Sequence, residues 1–242
     1  TAFGADSLKT NTTGTINTAI GYQALYTNTT GEQNVAVGHQ ALYTNNGNYN
    51  TAVGKDALEA NTTGDNNTGI GYHSLDVNTT GDDNTGIGAY ALDTNTTGSQ
   101  NTACGYHALG DNTTTSQNTA VGYEALGSNT ANYNTAVGRQ ALASSTTGSR
   151  LVAVGNRALY TNSTGDYNTA VGDHSLNANT TGNQNSAFGY YALSAATTAS
   201  WNNAFGEGSL QNTTTGSDNT GFGHRTLQTN TTGSYNTAVG AN

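Results

Sequence analysis

Three sets of residues in this 242-residue sequence have the types and spacing that could carry chemistry. Asn-x-Ser/Thr sequons begin at Asn11, Asn28, Asn61, Asn78, Asn95, Asn112, Asn162, Asn179, Asn212 and Asn230. Placed on an exposed corner, they would be acceptors for N-linked glycan in a host that glycosylates secreted proteins. Carboxylates crowd residues 56–93, where Glu59, Asp76 and Asp93 recur every 17 residues and Asp65 and Asp82 repeat the spacing. Oxygen ligands repeated in this way suit weak binding of a hard cation such as calcium. The plainer reading is solvated surface, with repulsions of about 1 kcal/mol per pair in water. Exposed aromatics form the third set: Tyr26, Tyr43, Tyr106, Tyr123 and Trp201 present flat faces that suit a sugar or a partner protein.

Catalytic constellations are not among them. The many hydroxyls have no base held by a third group, and no glycine-rich segment is followed by a phosphate-binding lysine. His73 and His107 stand two periods apart, about 10 Å if the periods stack as strands, too far to share one metal ion. The sequence therefore predicts no enzyme, no metal centre and no cofactor.

What positions all three sets is a single repeat. The glycines at 21, 38, 54, 71, 88, 105, 122, 138, 155, 172, 189, 206, 223 and 240 follow one another at 17 residues, or in two cases 16. Counting from Asn17 as position one, the unit reads N-T-A-V-G-x-x-A-L-x-x-N-T-T-G-x-x. Residues 1–242 thus form one uninterrupted array of about 14 units, expected to be a fragment of a longer chain. Seventeen residues are too few for a helical hairpin repeat, and the Gly, Asn and Thr content opposes helix. They suffice for one coil of an all-β parallel β-solenoid, a β-roll or β-helix in which like residues stack in ladders about 4.8 Å apart. Only 33% of the residues are hydrophobic, so order must come from these ladders and not from a broad globular core.

Each unit position then has an expected role. Position four is apolar throughout (Ile20, Val37, Val53 and onward) and position nine is Leu, so these two are expected to be the core, with Cys104 buried in the first of them. By strand alternation the Thr of position two would share that inward face. Position three accepts only Ala or Gly, which predicts another backbone or subunit lying against it. The glycines at positions five and fifteen are expected at φ > 0, and the Asn at position one in a side-chain amide ladder.

Charge and length narrow the partners. A net charge of −9, from six Lys plus Arg against fifteen Asp plus Glu, lacks the basic footprint of nucleic-acid binders. No apolar run is long enough to insert in a membrane, and one cysteine gives no intrachain disulfide framework.

The motif Gly-x-x-Asn-Thr-Ala-Val-Gly-x-x-Ala-Leu, with small variations at 64–75 and 165–176, resembles the head repeats of trimeric autotransporter adhesins. It is also similar to repeat arrays of phage tail-fibre-like proteins. The resemblance implies a left-handed parallel β-roll in a homotrimer, although the unit here is longer by the Asn-Thr-Thr-Gly corner. The expected function is an extracellular structural fibre or adhesin segment, on a cell surface or virion, acting as a stiff spacer. Its expected partners are further copies of itself, as a homotrimer or end-to-end filament, and a cell-surface glycan. The alternative is an ice-binding β-solenoid, since regular Thr rows can order water. Against it stand the inward Thr of position two and corner Thr rows interrupted at Asn46, Ala131 and Ala196.

Overall fold

The structure, a computed structural model, describes residues 1–241. It is an all-β parallel β-solenoid of about 14 coils with a 17-residue repeat, and none of the described residues is helical. The chain forms two compact units, Thr1–Ala120 and Val121–Asn242. The first holds β1 (Ala2–Phe3), β2 (Thr18–Ile20), β3 (Val35–Val37), β4 (Thr51–Val53), β5 (Thr68–Ile70), β6 (Thr85–Ile87) and β7 (Thr102–Cys104). After β8 (Thr119–Val121), the second holds β9 (Thr135–Val137), β10 (Val152–Val154), β11 (Thr169–Val171), β12 (Ser186–Phe188), β13 (Asn203–Phe205), β14 (Thr220–Phe222) and β15 (Thr237–Val239). Within each unit consecutive strands pair in parallel with like positions in register, as Thr68 with Thr85 and Val154 with Val171.

Only three residues per coil are extended, yet hydrogen bonding between coils continues around the turns. Leu25 N donates to Ala41 O at 3.0 Å and Thr27 N to Tyr43 O at 3.0 Å, while Gln40 N donates the other way, to Tyr22 O at 2.9 Å. A chain rich in Gly, Asn and Thr is ordered because its backbone groups find partners one period away.

The interior is narrower than the sequence suggested. Ala19, Ala24 and Leu25, at positions three, eight and nine, are fully buried, and so are their counterparts in the following coils as far as Leu210, while Leu227 and Ala238 in the last coils are half-buried. Position four faces outward: Ile20, Val53, Ile70 and Ile87 keep 37–41% of their surface in solvent. Four expectations are corrected by this one inversion. The core ladders are positions three, eight and nine; Thr of position two lies on the outward face with position four; and Cys104 is half-buried. The Ala/Gly restriction at position three is met inside the coil, because a Cβ at Gly69 would lie 3.2 Å from Leu58 Cγ, with no subunit required.

Glycine conformation is corrected as well. Position five has φ between +128° and +143°, and a Cβ on Gly71 would come 2.5 Å from Gly88 O, so only glycine fits there. Position fifteen does not have positive φ. The left-handed residues are non-glycine ones at positions seven, nine and seventeen, such as Gln23 (φ 54°), Leu25 (φ 50°) and Gln33 (φ 57°).

Candidate functional site

Buried asparagines connect the coils and thereby fix what is left for the surface. At position one, Asn17 Nδ2 donates to Gly31 O at 2.7 Å and its Oδ1 accepts Asn34 N at 2.9 Å. At position twelve, Asn78 Nδ2 donates both to Asn61 Oδ1 at 2.8 Å and to Gly81 O at 3.0 Å. Position twelve is the sequon asparagine in all but one case, Asn212, which stands at position eleven. Asn28, Asn61, Asn78, Asn95, Asn112, Asn162 and Asn179 are fully buried, Asn11 and Asn230 are half-buried, and of the ten sequon asparagines Asn212 alone is exposed. The expectation of an exposed glycan corner is thus corrected. A glycan on Nδ2 would displace hydrogens that carry the ladder.

The acidic run divides by position. At position sixteen, Asp65 Oδ1 accepts Asn48 N at 2.6 Å, and Asp82 Oδ1 accepts Asp65 N at 2.8 Å, so these carboxylates are tied to backbone of the preceding coil. At position ten, Glu59 and Asp93 have carboxyls held above the ordinary range. Burial is the first cause in both; the Asp76 and Asp56 charges add to it at Glu59. Asp93 Oδ1 is buried without a hydrogen-bond partner. Asp76 has a partner, since its Oδ2 lies 2.5 Å from His73 Nδ1. Among the described residues no group of three or more His, Cys, Asp or Glu side chains could hold a metal ion.

Sequence reasoning missed the residues that join this row. Asp56, with 6% of its side chain exposed, faces His39 Nδ1 on the coil before and His73 Nε2 on the coil after, both at 3.4 Å, and pairs with Lys55. His73 therefore faces a carboxylate with each ring nitrogen and links Asp56 of the coil before to Asp76 of its own coil. The 17-residue spacing of His39 (position six) and Asp56 (position seven) differs by one position across a 16-residue coil, which hid their contact. Ser74, the next residue, is buried and donates to Gly86 O at 2.8 Å.

The aromatic candidates separate into two kinds. Tyr26 and Tyr43 are half-buried and stack on each other with centroids 5.1 Å apart and planes 2° from parallel, while Lys9 lies 5.3 Å from the Tyr26 centroid. Stacking along the ladder occupies ring faces that a sugar would need. Tyr106, Tyr123 and Trp201 remain 47%, 45% and 56% exposed. In the second unit, the Arg150 guanidinium is sandwiched between Tyr133 and Tyr167, at 5.4 and 5.3 Å.

The outward face of the strands is uncharged. In the first unit it carries Thr51 with Val53, Thr68 with Ile70, Thr85 with Ile87 and Thr102 with Cys104. In the second it includes Phe188, Phe205 and Phe222, with Phe188 and Phe205 stacked at 4.9 Å. Sheet geometry spaces such side chains about 4.8 Å across strands and about 6.6 Å along them.

These features define a tandem-repeat β-solenoid with an apolar, hydroxyl-bearing strand face. Comparison with family models, curated proteins and solved structures finds no match to the chain. No described helix is long and apolar enough to cross a membrane.

Proposed function

We propose that this chain is a segment of an extracellular structural fibre or adhesin, a stiff spacer that self-associates as a homotrimer and presents exposed side chains to a cell-surface glycan. The observation that carries the reading is the exposed strand face: in each unit, strand after strand offers an outward apolar residue at position four, more than isolated surface hydrophobics explain. The interface first expected at position three moves to positions two and four. Its work is mechanical, with backbone hydrogen bonds and asparagine ladders resisting local opening. Cys104, half-buried on that face, is a built-in reporter. Native mass spectrometry should give three chains, with Cys104 protected from maleimide until the assembly is dissociated. A monomer labelled freely at Cys104 overturns the proposal.

A second reading, ice binding, is favoured by one observation: the Thr of position two is on the outward face, which removes the main objection to it. A regular, uncharged array of hydroxyls and methyls is suited to ordering water. The two readings place opposite demands on the same face, which self-association buries and ice binding leaves open. Thermal hysteresis by a monomer, lost in Thr68→Glu and Thr85→Glu, would select the second.

A further inference from the structure

We infer that a gap in one side-chain ladder of the second unit is a binding slot for a single neutral pyranose ring. Position seven carries a side chain in coil after coil: Gln140, Arg157, His174 and Tyr191, then Arg225. Between Tyr191 and Arg225 the residue is Gly208, whose φ of +63° matches the left-handed backbone of its neighbours, Tyr191 (53°) and Arg225 (55°). The backbone is therefore unchanged, and only the rung is missing.

Its absence leaves a cleft of ≈ 210 Å³ lined by Tyr190, Tyr191, Glu207, Gly208, Gln211 and Arg225. His174 stacks on Tyr191 with centroids 5.1 Å apart and planes 10° from parallel, so one face of Tyr191 is covered. The other looks toward the Gly208 coil. Tyr191 and Arg225 are two coils apart, roughly 9.6 Å at ladder spacing. A ring in van der Waals contact needs about 3.5–4 Å on each side, so the cleft is of single-ring width, narrowed at its base where the Arg225 stem leans in. The stem of Arg225 floors the slot, since a Cβ at position 208 would lie 3.2 Å from its Cγ.

The polar groups decide the class of ligand. Glu207 Oε1 lies 4.0 Å from Arg225 Nη2 and 3.8 Å from His224 Nε2, so the acid is balanced by bases and the slot favours no net charge. Gln211 Oε1 accepts from Gln228 Nε2 at 2.7 Å, and the Gln211 amide N–H groups can donate. Donors and a carboxylate acceptor around an aromatic face match a sugar, whose C–H face covers the ring while its hydroxyls both donate and accept. Tyr190, edge-on to Tyr191 at 4.5 Å, extends the apolar wall.

This inference deepens the glycan-contact part of the proposed function and is tested separately from assembly. Methyl glycosides of glucose, galactose, mannose and N-acetylglucosamine are added to the full chain and read by saturation-transfer NMR. The expected result is transfer to ring C–H protons of at least one of them. Gly208→Gln restores the rung with a residue that position seven already accepts at Gln140, and should weaken binding about tenfold or more, while its left-handed backbone lowers the melting temperature modestly and leaves the fold intact. Tyr191→Gln should weaken it likewise. No transfer from any of the four probes, or equal transfer in Gly208→Gln, overturns the slot; the mass and Cys104 results would stand in either case.

Discussion

Ala196 and Ala199 are a matched pair. In coils with Asn at position twelve and Gly at position fifteen, the asparagine oxygen fills the space where a side chain at position fifteen would begin. A Cβ on Gly182 would lie 2.0 Å from the backbone oxygen of Ala199 on the next coil and 2.5 Å from Asn179 Oδ1. Ala199 has a Cβ at that position, and Ala196 removes one of the two atoms that crowd it; both are fully buried. Thr115 beside Asn112 is the other solution, its hydroxyl hydrogen-bonded to the asparagine oxygen. The alanine exchange breaks the ladder. Asn179 Oδ1 on one side and Thr213 Oγ1 on the other are buried without partners.

Restoring the rung is tested with both changes. Ala196→Asn with Ala199→Gly supplies a donor to Asn179 and an acceptor for Thr213, with an expected gain of about 1–2 kcal/mol in urea unfolding. Ala196→Asn alone should gain less, because its oxygen shares space with the Ala199 Cβ. A double-mutant cycle closing without coupling would show that the two positions are independent.

The repeat, its parallel register and its ladders were legible because a 17-residue period admits few architectures. The facing of the strand was not, because alternation gives two faces and the larger apolar residue was assigned inward. Tolerance of volume was the signal to use. Position four accepts Cys104, Val121 and Phe188, a range that a close-packed interior rejects. Position nine is Leu in every coil, and position three never exceeds Ala. The His39–Asp56 contact depended on a one-residue deletion shifting the register of side chains between coils, which a period alone does not convey; Asp56 and His73 share position seven, and their pairing followed from the period once like positions were known to stack. Gly208 was visible as the one glycine at position seven, but its meaning required knowing that neighbouring side chains stack there.

Left-handed non-glycine backbone recurs in every coil, and it carries strain that a suitable residue relieves. Gln184 is exposed at position seventeen with φ 57°, where Asn66 occupies the same position in another coil with φ 58°. Gln184→Asn should stabilise by up to about 1 kcal/mol, since asparagine tolerates this region, and Gln184→Val should destabilise by a comparable amount. Thermal melting ranks the three. An equal or reversed order would mean that the left-handed corner is not strained.

Ser74 and Gly86 are coupled in a second way. Ser74 Oγ donates to Gly86 O at 2.8 Å, and a Cβ on Gly86 would lie 2.7 Å from the same Oγ. Ser209 and Gly221 repeat the arrangement at 3.0 and 2.6 Å. Gly86→Ala is expected to destabilise by up to about 1 kcal/mol, the cost of turning Ser74 Oγ from Gly86 O to a nearer carbonyl, as Ser175 turns to Gly172 O beside Ala187. Adding Ser74→Ala should recover most of the loss, because Ala at both positions is what most coils carry. Failure of the second change to rescue the first would place the strain elsewhere.

Acid should stabilise the coils around Glu59 and Asp93. Burial, followed at Glu59 by the charges of Asp76 and Asp56, raises both carboxyls, while His73 and Lys55 oppose it at Glu59, and His107 and a backbone hydrogen bond oppose it at Asp93. A carboxyl raised in the folded chain binds its proton more tightly there than in the unfolded chain. The resulting stability is fully present below the unfolded carboxyl range, about pH 4, and is lost as pH rises through the higher folded value. Above their raised folded values, ionisation of these groups is a net cost to the fold. Glu59→Gln and Asp93→Asn should each raise the melting temperature at pH 7, and the difference from the parent should shrink toward pH 3. Asp173, whose carboxyl is lowered first by its hydrogen bond to His174, moves the parent the opposite way, so the variant-minus-parent difference is the quantity to follow. A variant that melts lower than the parent at pH 7 would show that the ionised carboxylates are compensated by Lys55, His73 and His107.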